Sequence, residues 1–345
     1  MKTLLLTVDN CVNNSEIYSQ AVDYLNRGEL VAFPTETVYG LGAVATDESA
    51  IRKIFEAKDR PSDNPLIVHI GNVEEIPTYI EYIPEVAKKC MEKFWPGPLT
   101  IVMKAKDGVV APSVTAGLNT VGIRMPDHPV ALTLLRTLKK PLAAPSANRS
   151  GKPSPTKAFH VKEDMDGRIP CIIDGGTTGI GLESTVLDVT TETPVILRPG
   201  GVTKEMLEEV IGRVAQPTLQ EQKEEKTPKA PGMKYTHYAP EAPVYLIDDS
   251  TNLYEAIARL QAEGHTVALL APDGYEQCGA NYFFTLGDEN EQQQMGVYLY
   301  DALRACDKTD ATIILARATY KKGVGVAIMN RLEKAAGDKW YNNKK

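Results

Sequence analysis

No two cysteines stand in a C-x-x-C spacing, and the five that occur, Cys11, Cys90, Cys171, Cys278 and Cys306, are scattered and odd in number. That excludes a thiol-ligated metal finger and a disulfide framework, and it fits a reducing cytoplasm. Long apolar runs are missing too. The opening MKTLLLTVDN breaks at Asp9, short of a signal peptide's apolar region, and nothing approaches the roughly 20 apolar residues of a membrane span. Positive charge is scarce: 38 Lys and Arg face 45 Asp and Glu, a formal net charge of -7. A chain of that sign has no general attraction to polyanions, so stable nucleic-acid binding is not expected and any contact needs a local patch.

What is present is a globular composition, with 43% hydrophobic and 24% charged residues over 345 positions, a length that favours two domains. Up to residue 212, short β-rich runs alternate with helical stretches. Leu30 to Phe33, Leu66 to Ile70, Leu99 to Met103, Val121 to Arg124, Cys171 to Asp174, Thr185 to Val189 and Val195 to Arg198 read as strands. Helices are expected after the cap Asp47 and over Glu85 to Phe94, Val130 to Leu138 and Lys204 to Ile211. These are too few for strict strand–helix alternation, so residues 1–212 predict a mixed α/β domain.

Residues 213–240 read as a linker: VAQPTLQEQKEEKTPK is polar and charged, and KAPGMKYTHYAP is stiffened by proline. From 241 to 345 the order strand, helix, strand, strand, long helix, strand, helix predicts a small open α/β sheet with helices on both faces.

Three loops concentrate polar groups. Pro34-Thr35-Glu36-Thr37-Val38-Tyr39-Gly40-Leu41-Gly42 puts two hydroxyls, a carboxylate and a phenol on a loop with room for a ligand; its alternative reading is a turn whose threonines satisfy the backbone. Lys58-Asp59-Arg60-Pro61-Ser62-Asp63-Asn64-Pro65 suits an anionic ligand, with lysine as a point charge and arginine as a fork, or is a solvated surface. Ala144 to Thr156, rich in hydroxyls and turn formers, can aim N–H groups at phosphate oxygens, yet it has neither the G-x-x-x-x-G-K-[ST] nor the G-x-G-x-x-G spacing. Arg124 and Arg198 end strands and need partners: a ligand's carboxylate or phosphate, or Asp127, Glu183 or Asp188. His69 lies in an apolar strand, where a satisfied core histidine is the commoner case.

Taken in order, Pro34-Thr35-Glu36-Thr37-Val38-Tyr39-Gly40-Leu41, Lys58-x-Arg60 with Asn64-Pro65-Leu66, Arg124-Met125-Pro126, Ser146-Ala147-Asn148 with Ser150-Gly151, and Glu183-Ser184-Thr185 resemble the YrdC-like family of threonylcarbamoyl-AMP synthases. Gly232-Met233-Lys234-Tyr235-x-His237-Tyr238, followed by a second small domain, is similar to the long two-domain branch. The resemblance implies an N-terminal YrdC-like twisted-sheet α/β domain and a smaller C-terminal Rossmann-like α/β domain. It implies a cytoplasmic nucleotidyltransferase that converts L-threonine, bicarbonate or CO2, and ATP with Mg2+ to threonylcarbamoyl-AMP and pyrophosphate. A separate transferase complex then passes the group to a tRNA adenosine beside the anticodon.

By the same resemblance, Lys58, Arg60, Ser146 and Asn148 form a catalytic tetrad. Thr37, His69, Arg124, Ser146 and Ser184 hold threonine, while Lys58, Arg60, Asn64, Thr120, Asn148, Thr156 and Arg198 contact ATP; Tyr235 is expected to contact ATP only through a lid, and no metal ligands are assigned. The chemistry needs no covalent intermediate, in keeping with the lack of a nucleophile pattern, and His69 or a water takes the amine proton. Residues 229–238 are expected to form a lid carrying Tyr235, the alternative being that its aromatics pack an interdomain seam. Two rivals are a non-catalytic RNA-binding factor and a carbamoyl-phosphate enzyme. Acidic balance and missing aromatic–basic interleaving oppose the first, and the absence of additional domains opposes the second.

Overall fold

The computed structural model describes residues 2–9, 14–217 and 238–341. The chain divides into two compact units.

The first unit is built on ten strands, β1 (Leu4–Thr7), β2 (Val31–Phe33), β3 (Gly40–Val44), β4 (Ile67–His69), β5 (Leu99–Lys104), β6 (Thr120–Arg124), β7 (Leu142–Ala143), β8 (Cys171–Asp174), β9 (Thr185–Asp188) and β10 (Val195–Arg198). They form one mixed sheet in the order β1-β8-β2-β3-β7-β4-β6-β5-β9-β10. Its helices are α1 (Ser15–Asn26), α2 (Glu48–Lys58), α3 (Ile76–Tyr79), α4 (Glu85–Phe94), α5 (Pro112–Thr115), α6 (Pro129–Leu138), α7 (Ala158–Met165) and α8 (Lys204–Ile211).

Strand β2 shows why the short runs are apolar throughout. Val31 and Phe33 enter a cluster with Leu25 of α1 and Leu134 of α6. Ala32, pointing the other way, joins Ile51 and Ile54 of α2 in a separate cluster. A strand buried on both faces has no polar face to alternate with. Helix α2 starts where the sequence places its cap: the Asp47 carboxylate accepts from the Ser49 and Ala50 amides.

The chain from residue 213 does not leave this unit at once. Ala215 bridges Val195, and Val214 is buried.

The second unit takes most of its residues from the carboxyl-terminal part, together with Gly151–Ser154 and Ile180–Leu182. Strands β11 (Val244–Ile247), β12 (Val267–Ala271), β13 (Tyr282–Thr285) and β14 (Ile313–Arg317) are all parallel, in the order β11-β14-β12-β13. Helices α9 (Leu253–Ala262), α10 (Gln292–Cys306) and α11 (Gly325–Ala336) complete it. The expected large α/β sheet followed by a smaller Rossmann-like unit is the architecture observed.

Within this unit Tyr238 is buried with a left-handed φ of 68°. Its ring lies 5.2 Å from that of Tyr300, and the Arg331 guanidinium sits 5.7 Å from the Tyr238 ring centre.

Candidate functional site

The Pro34-to-Leu41 motif splits between loop and strand: residues 34–39 turn, and β3 begins at Gly40. The turn is held by Thr35, whose hydroxyl donates to the Val38 carbonyl at 2.7 Å and lies 2.8 Å from the Thr37 hydroxyl. The backbone reading of these threonines therefore applies to Thr35, and Thr37 is fully buried beside it. Tyr39 donates its phenol proton to the Gly176 carbonyl at 2.6 Å, and burial followed by the charge of Asp174 pushes its pKa well above the usual tyrosine range.

The third polar loop pairs with this motif. Ser146 bridges Gly40, and the amides of Leu41 and Ala147 donate to Pro145 and Tyr39 carbonyls at 2.8 Å each. Lys58, the last residue of α2, reaches the same loop: its ammonium donates to the Ser146 and Asn148 carbonyls at 2.5 Å each. The Ser146 hydroxyl donates to Asn148 Oδ1 at 2.5 Å. Three members of the expected tetrad thus form one hydrogen-bonded group. Arg60 is half-buried, and its Nη2 donates to the Asn64 carbonyl at 3.2 Å, closing the loop between α2 and β4.

A second group follows from strand register. His69 and Arg124 are partners on β4 and β6, and Val186 on β9 is flanked by Thr100 of β5 and Arg198 of β10. Arg124 is buried, with Nη2 on Glu36 Oε1 at 2.5 Å and Nε on the Gly97 carbonyl at 3.3 Å. Ser184, just before β9, shares a 2.8 Å hydrogen bond with Thr100, and Arg198 donates from Nε and Nη2 to the Ser184 carbonyl at 3.1 and 3.0 Å. The partner of Arg124 is therefore Glu36, which is not among the acids the sequence points to.

His69 is corrected as a proton acceptor. Burial, then the Arg124 charge, pushes its pKa down to about 3, and Nδ1 lies 3.1 Å from the Ile67 carbonyl. A ring held neutral and tied to the backbone does not take a proton at neutral pH.

Several buried polar atoms of this unit have no hydrogen-bond partner among the described residues. They include both amide atoms of Asn64, the Thr156 and Thr178 hydroxyls, and Glu36 Oε2. Such atoms carry a desolvation cost unless something hydrogen-bonds them. Asn64 and Thr156 are expected from sequence. Thr178 is not, although its amide donates to the Thr156 carbonyl at 3.0 Å. The signal it gave was a hydroxyl in the glycine-rich turn after β8. Glu36 was visible inside the first motif, but nothing local revealed a partner 88 residues away.

Thr120 stands at the other end of β6 from Arg124, roughly 13 Å along the strand, and pairs with Lys104. Tyr235 and most of the expected lid lie outside the described residues. Among the described residues no group of three or more His, Cys, Asp or Glu side chains is placed to hold a metal ion, and no helix is long and apolar enough to cross a membrane.

Known proteins resemble this chain along nearly its whole length. A family model, Sua5_yciO_yrdC, described as telomere recombination, matches residues 23–200, and a second, described as threonylcarbamoyl-AMP synthase, C-terminal domain, matches residues 202–337. The chain is 50% identical over 334 residues to a threonylcarbamoyl-AMP synthase of Bacillus subtilis (strain 168), covering 95% of each protein. It belongs to this family. A second family member, the threonylcarbamoyl-AMP synthase of Pyrococcus abyssi (strain GE5 / Orsay), is 49% identical over 322 residues, 92% of this chain and 93% of that one. The solved structure of P. abyssi Sua5 complexed with L-threonine superposes with a TM-score of 0.93 at 46% identity, covering 98% of this chain and 99% of that chain. Both units thus have counterparts in two-domain members of the Sua5/YciO/YrdC family.

Proposed function

We propose that this chain is a threonylcarbamoyl-AMP synthase: it joins L-threonine, bicarbonate or CO2, and ATP into threonylcarbamoyl-AMP and releases pyrophosphate. The observation that carries the reading is the buried Lys58 ammonium, fastened by 2.5 Å hydrogen bonds to Ser146 and Asn148 carbonyls, in a unit that also buries Arg124 and Arg198. Three fixed cations in a domain that is otherwise acidic suit a substrate bearing a carboxylate and phosphates.

In this reading Arg124 takes the threonine carboxylate, while Thr37, Ser184 and the neutral ring of His69 contact the rest of the amino acid. The amine attacks the carbon of CO2, passing its proton to water, or that of bicarbonate with loss of water; a carbamate oxygen then attacks the α-phosphorus, displacing pyrophosphate. Lys58, Arg60 and Arg198 offset the charge that develops on the phosphates, and Asn64, Asn148, Thr156 and Thr178 orient the nucleotide. Thr120 and Tyr235 remain proposed ATP contacts.

Mg2+ fits as an ion held by phosphate oxygens and water, since the described residues provide no protein cage for it. When bound, it would neutralise phosphate charge. The product goes to a transferase complex that modifies tRNA. A cytoplasmic setting is supported by Cys90, Cys171, Cys278 and Cys306, all free thiols buried in the fold.

The test is incubation with ATP, Mg2+, bicarbonate and either L-threonine or L-serine, following pyrophosphate and the mass of the nucleotide product. Threonine- and bicarbonate-dependent pyrophosphate with threonylcarbamoyl-AMP is expected. A folded protein that produces neither overturns the reading.

A further inference from the structure

In the second unit, the chain leaves neighbouring strands toward opposite faces. The crossover from β11 through α9 to β12 passes over β14 in one direction, and that from β13 through α10 to β14 passes over β12 in the other. Right-handed crossovers running in opposite directions lie on opposite faces. Helix α11, which follows β14, packs on β11 and on α10, so it shares the α10 face. The carboxyl ends of β11 and β14, paired at Ile247 and Arg317, therefore flank a topological switch point. Open α/β sheets receive ligands at such crevices.

Arg317, the last residue of β14, is built into that position. Its side chain is only 10% exposed, and its guanidinium lies 4.7 Å from the centre of the Tyr275 ring. Nη2 donates to Asp249, an acid from the loop after β11 whose own side chain is 75% exposed. Nε, which lies on the same edge of an arginine fork, is buried and has no partner among the described residues. One half of the fork meets a carboxylate that is mostly in water, where an ion pair contributes little. The other half is empty-handed although desolvated.

We propose that this crevice binds a small anion that grips Arg317 side-on through Nε and Nη2 and displaces Asp249. The chemistry is one carboxylate or one phosphate, because two oxygens on one centre match the fork. Polyphosphates are disfavoured by the other acids at the edge. Asp248 is held by the Ser250 amide and hydroxyl at 3.0 and 2.6 Å, and Asp273 by the Thr285 hydroxyl. Lys321 is committed to Glu333 at 2.5 Å, which leaves Arg317 as the anchoring cation. The inference is independent of the synthase reading.

The experiment uses the full chain carrying Lys58→Ala and Arg60→Ala, so that the basic loop of the first unit does not report. Its arginine Nε–H signals are followed by NMR at constant ionic strength during titration with inorganic phosphate or with acetate, the Arg317 signal being assigned by its loss in Arg317→Lys. Saturable shifts of that signal with either anion support the site, and which anion saturates identifies the ligand chemistry. Asp249→Asn should lower the dissociation constant roughly two- to fivefold, the scale of a weak exposed ion pair. No saturable shift with either anion, in the parent or in Asp249→Asn, overturns the proposal, as does an affinity unaffected by Asp249→Asn.

Discussion

Glu36 and Arg124, 88 residues apart, meet in the first unit with Arg124 Nη2 donating to Glu36 Oε1 at 2.5 Å, while Glu36 Oε2 has no partner among the described residues. The pair keeps a buried guanidinium neutralised, and in the proposed function a threonine carboxylate takes over that role. Glu36→Gln removes that charge, and the free protein should lose roughly 3–5 kcal/mol. Because threonine would then supply the missing negative charge, its addition should raise the melting temperature of Glu36→Gln by more than it raises the parent's. Scanning fluorimetry with and without L-threonine measures both; equal gains would show that the substrate and Glu36 do not share Arg124.

Asn64 is buried with both side-chain amide atoms unsatisfied among the described residues, a cost to the fold that the proposed nucleotide contact would relieve. Asn64→Ala should therefore shift unfolding by less than about 1 kcal/mol, small for a buried polar site. The KM for ATP should rise roughly tenfold to a hundredfold, the range of a hydrogen bond to a charged group. Urea unfolding and ATP-dependent pyrophosphate release give the two numbers. A large loss of stability with an unchanged KM would make Asn64 a structural residue.

Gly200 touches the site through its lack of a side chain. A Cβ there would lie 2.3 Å from the Thr185 amide nitrogen and 2.4 Å from the Glu183 carbonyl oxygen, so the backbone around Ser184 would have to move. Gly200→Ala is expected to cost about 1–3 kcal/mol of stability, as overpacking does, and to disturb the bonds from Arg198 to Ser184. Its kcat/KM should fall at least tenfold, equivalent to about 1.4 kcal/mol. Full activity would mean that the Ser184 position is not critical.

His69 gives a pH signature. Burial, then the Arg124 charge, pushes its pKa down to about 3 in the fold, against about 6.5 for a solvated imidazole, so the unfolded chain binds a proton that the folded one refuses. Stability from this residue is complete above 6.5 and is lost as pH falls toward the folded value, by up to about 1.4 kcal/mol per pH unit. Urea unfolding at pH 7.0 and 5.5 should show a smaller difference in His69→Gln than in the parent. An identical difference would assign the slope to other groups.

The elements that sequence made visible are those with a local signature. Helix α2 declared itself through the Asp47 cap and the spacing of Ile51, Ile54 and Phe55, and β5 and β10 through compact apolar runs. Strand β1 was passed over because Leu4 and Leu5 sit at a sheet edge with about two-fifths of their surface exposed, and β3 because Gly40 and Gly42 read as turn residues. Gly42 is required in β3 because a Cβ would come within 2.8 Å of the Phe33 ring. The Lys58, Ser146 and Asn148 group could be named from motifs, but the role of Glu36 depends on a long-range pairing that no local pattern encodes.

Strand β8 separates β1 from β2 and pairs with both, with Leu4 opposite Cys171 and Val31 opposite the same residue. The amino-terminal strand therefore has no neighbour until a segment 167 positions later has been made. At ribosomal speeds of roughly 5–20 residues per second, that is a wait of roughly 8 to 33 s. Throughout that interval the backbone edges of β1 and the β8-facing side of β2 are open to pairing with other chains. Those two edges are where this fold is most open to mispairing while it is being made.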